Sequence, residues 1–238
     1  MKRLRIITFF TSLLLSSVSL ISQNDIEQEI KTDSLPKKEL KYGIRVGVDM
    51  AKLARTAFSD NYSGFEILAD YRFSKKFFIA GEIGSEQKDF ESDYLDVTTK
   101  GNYLKAGIDY NMHNNLFPLD NMIYAGFRVA YSNFTQTINE STAYTVYPYW
   151  QPTPANTTER NFDNLSAIWV EVQFGIKAEV FTNLYLGVNA QLKHLVSEDQ
   201  PDNFANLYIP GFNKVFEGAK IGAGFGYSIS YRIPIYKK

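Results

Sequence analysis

Apolar and polar side chains alternate through most of this chain, most extensively between Ile168 and His194. Ile168, Val170, Val172, Phe174, Ile176, Ala178 and Val180 share one parity, with Trp169, Glu171, Gln173, Gly175, Lys177 and Glu179 between them. After Thr182-Asn183, Leu184, Leu186, Val188, Ala190 and Leu192 alternate with Tyr185, Gly187, Asn189, Gln191 and Lys193. Side chains alternate across a strand, so this stretch predicts a hairpin with one apolar and one polar face. Its first strand is longer than the usual strand of a water-soluble sheet.

The same period recurs in residues 42–49, 65–73, 77–86, 103–112, 123–132 and 221–233, which with the hairpin predicts eight strands. The connections alternate as well. About fourteen residues join the first two strands, and Ser74-Lys75-Lys76 joins the next pair. Residues 87–98, 135–165 and 195–219 read as long connections, whereas 113–121 and Thr182-Asn183 read as shorter ones. A meander with tight turns on one rim and long loops on the other is the pattern of an outer-membrane barrel. It places the turns and both chain ends in the periplasm.

The polar parity indicates which face meets lipid. A soluble barrel turns its apolar parity inward, and a membrane barrel turns it outward. Here the polar parity holds glycines at 43, 47, 84, 107, 126, 175, 187, 222, 224 and 226. It also holds Arg45, Arg72, Lys105, Arg128, Lys177, Lys193 and Arg232 against Asp49, Glu66, Asp70, Glu82, Asp109, Glu171 and Glu179. Eight strands enclose an interior just wide enough for side chains. Small residues beside long charged ones of balanced sign suit such a lumen, because a buried charge needs a partner. The expected fold is therefore an all-β, eight-stranded antiparallel up-and-down transmembrane barrel spanning 41–238.

Composition narrows the class further. A net charge of −1 gives no basic excess for nucleic acid, and the absence of cysteine excludes disulfides and thiolate metal sites. Lys2, Arg3 and Arg5 precede an apolar run to Ile21, which predicts a secretory signal over residues 1–22. Residues 23–40 are polar and carry Pro36, and read as a flexible periplasmic tail. Tyr42, Tyr71, Tyr110 and Tyr231, with Phe73 and Phe77, fall near the tight-turn rim, where an interfacial aromatic girdle is expected.

The chain ends in YRIPIYKK, similar to the aromatic-ended last strand of Gram-negative outer-membrane barrels; here Pro234 interrupts the ladder and two lysines follow the final aromatic. With YGIRVGVD (42–49), DYRFSKKFF (70–78), TTKGNYLKAGIDYNM (98–112) and NLYIPGFNK (206–214), the chain from Tyr42 onward resembles an uncharacterised family of small Gram-negative outer-membrane barrels. That resemblance implies an outer-membrane location and recognition by the barrel-insertion machinery. It supplies no site residues.

Little in the chain points to catalysis. There is no Walker-type loop, no His-Glu-x-x-His and no Gly-x-Ser-x-Gly. His113 reads as a solvated turn residue. His194 closes the seventh strand on the lipid-facing parity with Ser197 and Glu198 beyond it, the residue types of a lipid-modifying hydrolase. The acidic run 197–203 lacks the glycine-punctuated spacing of a calcium loop, so no metal or cofactor is expected. Tyr144, Tyr147, Tyr149 and Trp150 in one long loop, and Tyr208 and Phe212 in the other, are candidates for contact with a partner. The alternative is that the two loops pack together as a cap over the mouth. Three functional readings follow: a structural or interaction barrel whose loops meet lipopolysaccharide, a surface protein or a glycan; a rim hydrolase using His194; and a soluble lipocalin-like carrier with the faces reversed.

Overall fold

The computed structural model describes residues 41–113, 120–142, 157–214, 218 and 220–237. The expected signal and tail lie outside them.

Eight strands close a ring by antiparallel pairing alone. They are β1 (Lys41–Asp49), β2 (Tyr62–Arg72), β3 (Phe77–Ser92), β4 (Leu95–Asn111), β5 (Met122–Ser141), β6 (Arg160–Phe181), β7 (Leu184–Glu198) and β10 (Ile221–Lys237). Each pairs with its sequence neighbour, and β1 pairs with β10 to complete the barrel. Two further elements lie in the loops: a helix α1 (Met50–Phe58) between β1 and β2, and a small hairpin, β8 (Tyr208–Ile209) with β9 (Asn213–Lys214), between β7 and β10. Lys41 pairs with Lys237, so the barrel begins and ends at the rim that holds the β2–β3 and β6–β7 turns. Asn183 makes the latter turn at φ 66°, a backbone region that asparagine tolerates.

The apolar parity faces out. Phe174, Leu104 and Leu192 are 57%, 55% and 58% exposed, and Ile67, Ile83, Phe127 and Ile233 are exposed with them. The charged parity is buried: Lys105, Asp109, Arg128 and Glu171 are each at most 2% exposed. A soluble barrel cannot sustain that inversion, because its apolar surface would lie in water and its charges in the core. The ring is that of a membrane-spanning barrel, in which closure satisfies the backbone without water. A lipocalin-like carrier is thereby excluded. On the outside of β4 and β5 the apolar band stops at Leu104 and Tyr131, and Asn102, Lys100, Asn133 and Thr135 continue above it.

Three expectations need correction. Residues 87–98 are not a loop. β3 and β4 continue upward as one ladder, pairing Lys88 with Thr99, Phe90 with Val97 and Ser92 with Leu95 around an Asp93-Tyr94 turn. Their mixed polar sequence hides a strand because little of it meets hydrocarbon, and cross-strand pairing rather than apolar period holds it. β5 and β6 likewise extend to Ser141 and from Arg160. Second, the connection after β1 contains a helix. Third, Tyr42 is buried, because β10 bulges at this point and the pairing steps from Tyr42–Tyr236 to Gly43–Pro234. Of the other rim aromatics Tyr71 is half-buried and four are exposed: Phe77 lies 6.1 Å from Phe73 and 5.2 Å from Tyr110 between ring centroids, and Tyr231 is outward.

Phe174 sits midway along the apolar run of β6. Phe174→Arg is expected to destabilise the barrel by roughly 2–4 kcal/mol, as cations do at the bilayer midplane. Urea titration of the chain folded into phosphatidylcholine vesicles measures this. No loss of stability would place Phe174 in water.

Candidate functional site

The period-two pattern aims every lumen charge at the barrel axis, and closure brings them together in two networks. The first is a chain of alternating sign. Arg45 Nε lies 2.6 Å from Asp70 Oδ1, and Asp70 Oδ2 lies 2.7 Å from Lys177 Nζ. Lys177 is 3.7 Å from Asp109, whose Oδ1 meets Arg128 Nη1 at 2.7 Å. Arg128 Nε reaches Glu82 at 3.3 Å, and Glu82 lies 3.0 Å from Lys105 Nζ. Lys105 also lies 3.4 Å from Glu66 and 3.6 Å from Glu171, and Glu171 is 3.7 Å from Lys193. Arg45–Asp70, Asp109–Arg128, Glu82–Lys105 and Glu171–Lys193 join neighbouring strands, four pairs skip one strand, and Asp70–Lys177 spans the ring from β2 to β6.

The second network sits at the turn rim. Arg232 Nη1 donates to Asp120 Oδ2 at 2.6 Å, its Nη2 to Glu179 at 3.2 Å, and its Nε to Asn183 Oδ1 at 3.1 Å. Arg72 Nη2 donates to Asp120 Oδ1 at 2.8 Å. The last strand is thereby fastened to the β6–β7 turn and to the β4–β5 connection.

Three charges join the predicted set. Asp120 comes from a connection read as an ordinary turn. Lys52 comes from the unforeseen helix. Glu86 belongs to the polar parity of β3 and follows from the alternation. Lys52 pairs with Glu86, which also accepts from Tyr62 Oη at 3.0 Å, Tyr208 Oη at 2.6 Å and Gly211 N at 2.9 Å. Asp49, expected among the lumen pairs, instead caps α1: its Oδ1 accepts from Ala51 N at 2.7 Å and Lys52 N at 3.4 Å. Tyrosines fill space that charges leave. Tyr103 lies over Gly84 and Tyr124 over Gly175, positions where a Cβ would collide with the ring.

Tyr208 and Phe212 are not surface contacts. Tyr208 is 6% exposed and Phe212 1%, because β8–β9 folds down into the mouth rather than out into solvent. There Phe212 and Ile209 join Tyr103, Ala130, Phe134, Leu165, Ala167, Trp169 and Leu195 in an apolar cluster inside the barrel. Trp169 meets Phe212 edge-on at 5.9 Å and donates from Nε1 to Glu171 at 2.7 Å, so this small core rests directly on the charge chain. Burial, and then the Glu86 carboxylate, raise the Tyr208 phenol well above its ordinary range and hold it as a donor. The apolar content of residues 204–216 was the available signal. Tyr144, Tyr147, Tyr149 and Trp150 lie outside the described residues.

His194 and Ser197 are exposed on the outer wall, at positions paired with Val170 and Ile168 of β6. Among the described residues no hydrogen bond joins either to the other or to Glu198, which instead accepts from Asn206 Nδ2 at 2.8 Å and Gln200 Nε2 at 3.2 Å. The carboxylate that would orient the imidazole is engaged with the loop. No metal-sized cluster of His, Asp and Glu occurs among the described residues.

Lys105 holds three carboxylates together, so Lys105→Met is expected to destabilise the folded barrel by roughly 3–5 kcal/mol, the effect of removing one partner from a buried ion pair. Adding Glu82→Gln should recover part of that loss. Unfolding in urea with the protein in vesicles measures both, and an unchanged midpoint in the single variant would mean that these charges are hydrated.

The barrel can be set beside known proteins. The crystal structure of Ail, the attachment invasion locus protein of Yersinia pestis, superimposes with a TM-score of 0.42 at 10% identity, covering 83% of this chain and 100% of Ail. Neisserial surface protein A gives a TM-score of 0.40 at 9% identity, with coverage of 83% and 100%. No curated protein matches the sequence. A family model described as a domain of unknown function, DUF6048, matches residues 5–238, nearly the whole sequence, and the chain belongs to that family.

Proposed function

We propose that this protein is a non-enzymatic structural or interaction barrel of a Gram-negative outer membrane, with its rim in contact with lipopolysaccharide and with a surface protein or glycan. The observation that carries the reading is the inversion of polarity: exposed apolar side chains around the ring and paired charges within it. On this reading residues 1–22 are a signal, 23–40 a periplasmic tail, and both ends of the barrel lie in the periplasm. The insertion machinery then reads the last strand.

Side chains fill the lumen and β8–β9 occupies the mouth, so the surface left to the surroundings is the outer rim. That rim has the chemistry of a headgroup contact. Above Leu104 and Tyr131, the outer faces of β4 and β5 form a polar groove of about 400 Å³ lined by Lys100, Asn102, Asn133 and Thr135. A cation among amides and hydroxyls suits phosphorylated sugar. Tyr144, Tyr147, Tyr149 and Trp150, between β5 and β6, are the contact residues proposed for a protein or glycan partner.

The expected localisation is the outer-membrane fraction, with faster gel migration before heating than after. Lys100→Glu is expected to weaken binding to lipopolysaccharide micelles at least fivefold, from ~1 kcal/mol per basic residue near an anionic surface. Lys76→Glu, at the opposite rim, should leave it unchanged. Equal losses in both variants would remove the groove from the proposal, and inner-membrane fractionation would remove the whole reading.

A further inference from the structure

The wall is not equally tall all round. β1 stops at Asp49, opposite Ser228 of β10, and its last pairing with β2 is Val48 to Ile67. Beyond that level β10 continues through residues 221–227 and β2 through 62–66, each paired only on its far side. At ~3.4 Å per residue this leaves a notch of roughly 20 Å in the loop-side half of the barrel. An unpaired strand edge is costly in hydrocarbon, so something must cover it.

α1 occupies the notch and closes it unequally. Thr56 Oγ1 accepts from Gly64 N at 2.8 Å and lies 2.9 Å from Gly64 O, which satisfies the edge of β2. Among the described residues no hydrogen bond links α1 to residues 221–227 of β10. Between them lies a cavity of about 280 Å³. Its lining runs from Ala223 and Phe225, which face outward, to Lys105 and Lys193, which face the lumen. Phe225 is 79% exposed.

The cations in this lining are not equivalent. Lys52, Lys105 and Lys193 each lie within ion-pair distance of a carboxylate. Among the described residues Arg55 has none, and its guanidinium lies 3.8 Å from the centre of the Tyr62 ring. Asp49 also lines the cavity, with Oδ1 committed to capping the helix. Arg55 borders a second cavity of about 490 Å³ as well, beside Lys88 and the apolar Phe90 and Leu207. Among the described residues Lys88 Nζ donates only to the Asn61 carbonyl, at 3.0 Å.

We propose that the gap between α1 and β10 is a lateral portal through which an acidic lipid of the adjoining leaflet seats its phosphate on Arg55. The planar fork of arginine matches a phosphate in two parallel hydrogen bonds, and the aromatic ring beneath holds it in place. The lipid chains remain outside along Ala223 and Phe225, the part of the cavity that a soluble anion leaves unused. Gly224 keeps the passage open: a Cβ there would lie 3.0 Å from Gln191 Oε1 and 3.3 Å from Lys193 Nζ, so a larger side chain would stand in the cavity. This inference rests on the barrel being inserted in a membrane.

The test uses the full chain in nanodiscs of phosphatidylcholine with a minor fraction of phosphatidylglycerol, and native mass spectrometry of the lipid retained on release. The expected result is one retained phosphatidylglycerol per barrel, preferred about tenfold over phosphatidylcholine, whose phosphate is accompanied by a choline cation that Arg55 and Lys88 repel. Arg55→Gln and Gly224→Val should each abolish the preference, whereas Arg160→Gln, an equal charge change on β6, should keep it. Equal retention of both lipids, or an undiminished preference in Arg55→Gln, would overturn the portal. Displacement by inorganic phosphate alone would overturn the lipid as its occupant. Heat-dependent gel mobility is recorded on every sample. If it is missing, the membrane-barrel reading fails; if it is present without lipid selectivity, only the portal fails.

Discussion

An eight-stranded ring in hydrocarbon has almost no room for water, and the structure depends on how it places charge under that constraint. The backbone is satisfied by closure, which leaves side chains to fill the interior. Filling it with apolar residues on both parities would give strands without a preferred face, since lipid and core are equally oily. Charged side chains remove that ambiguity, because each has a large cost unless it faces inward and meets a partner. The chain from Arg45 through Asp70, Lys177, Asp109, Arg128 and Glu82 to Lys105 meets that requirement by alternating sign along its length. Register follows from it, since a shift of one residue in any strand would expel that strand's charges into lipid.

The two ends of the lumen are finished by segments that are not barrel strands. At the turn rim, Asp120 completes a cluster with Arg72 and Arg232, and Arg232 ties the last strand to the β6–β7 turn through Asn183. At the loop rim, β8–β9 lays Ile209 and Phe212 against Trp169, and Glu86 accepts from both Tyr208 and Gly211. Glu86 also pairs with Lys52 of α1, so one carboxylate joins the plug, the helix and the wall. The mouth therefore combines an apolar core with a polar junction, and the weakest seam among the described residues is the side of α1 that faces β10.

Much of this was legible in the residues. The strand number, the outward parity and the burial of the fourteen charges follow from period two read against the narrowness of an eight-stranded lumen, although Asp49 caps the helix there. Period two fails where the environment stops distinguishing the faces. Above the lipid, β3 and β4 carry Lys88, Asp89 and Thr98 on a ladder held by cross-strand pairing, so they read as a loop. Near the mouth, Tyr103, Phe134 and Trp169 occupy the inward parity although they are aromatic, because what they meet there is the plug and not charge. The helix Met50–Phe58 carries a helical period in Met50, Leu53, Ala54, Ala57 and Phe58 behind the Asp49 cap, a signal that the period of two on either side overshadows, and Tyr42 depends on a bulge in a strand nearly two hundred residues away.

By itself the sequence determined the ring, its polarity and the buried charges of the strands, because alternation and hydrophobic cost act locally on each strand. The tertiary structure decided who pairs with whom, where β1 ends relative to β2 and β10, and which loop enters the lumen. Those outcomes depend on strand lengths compared across the closed ring, and no single segment carries that comparison.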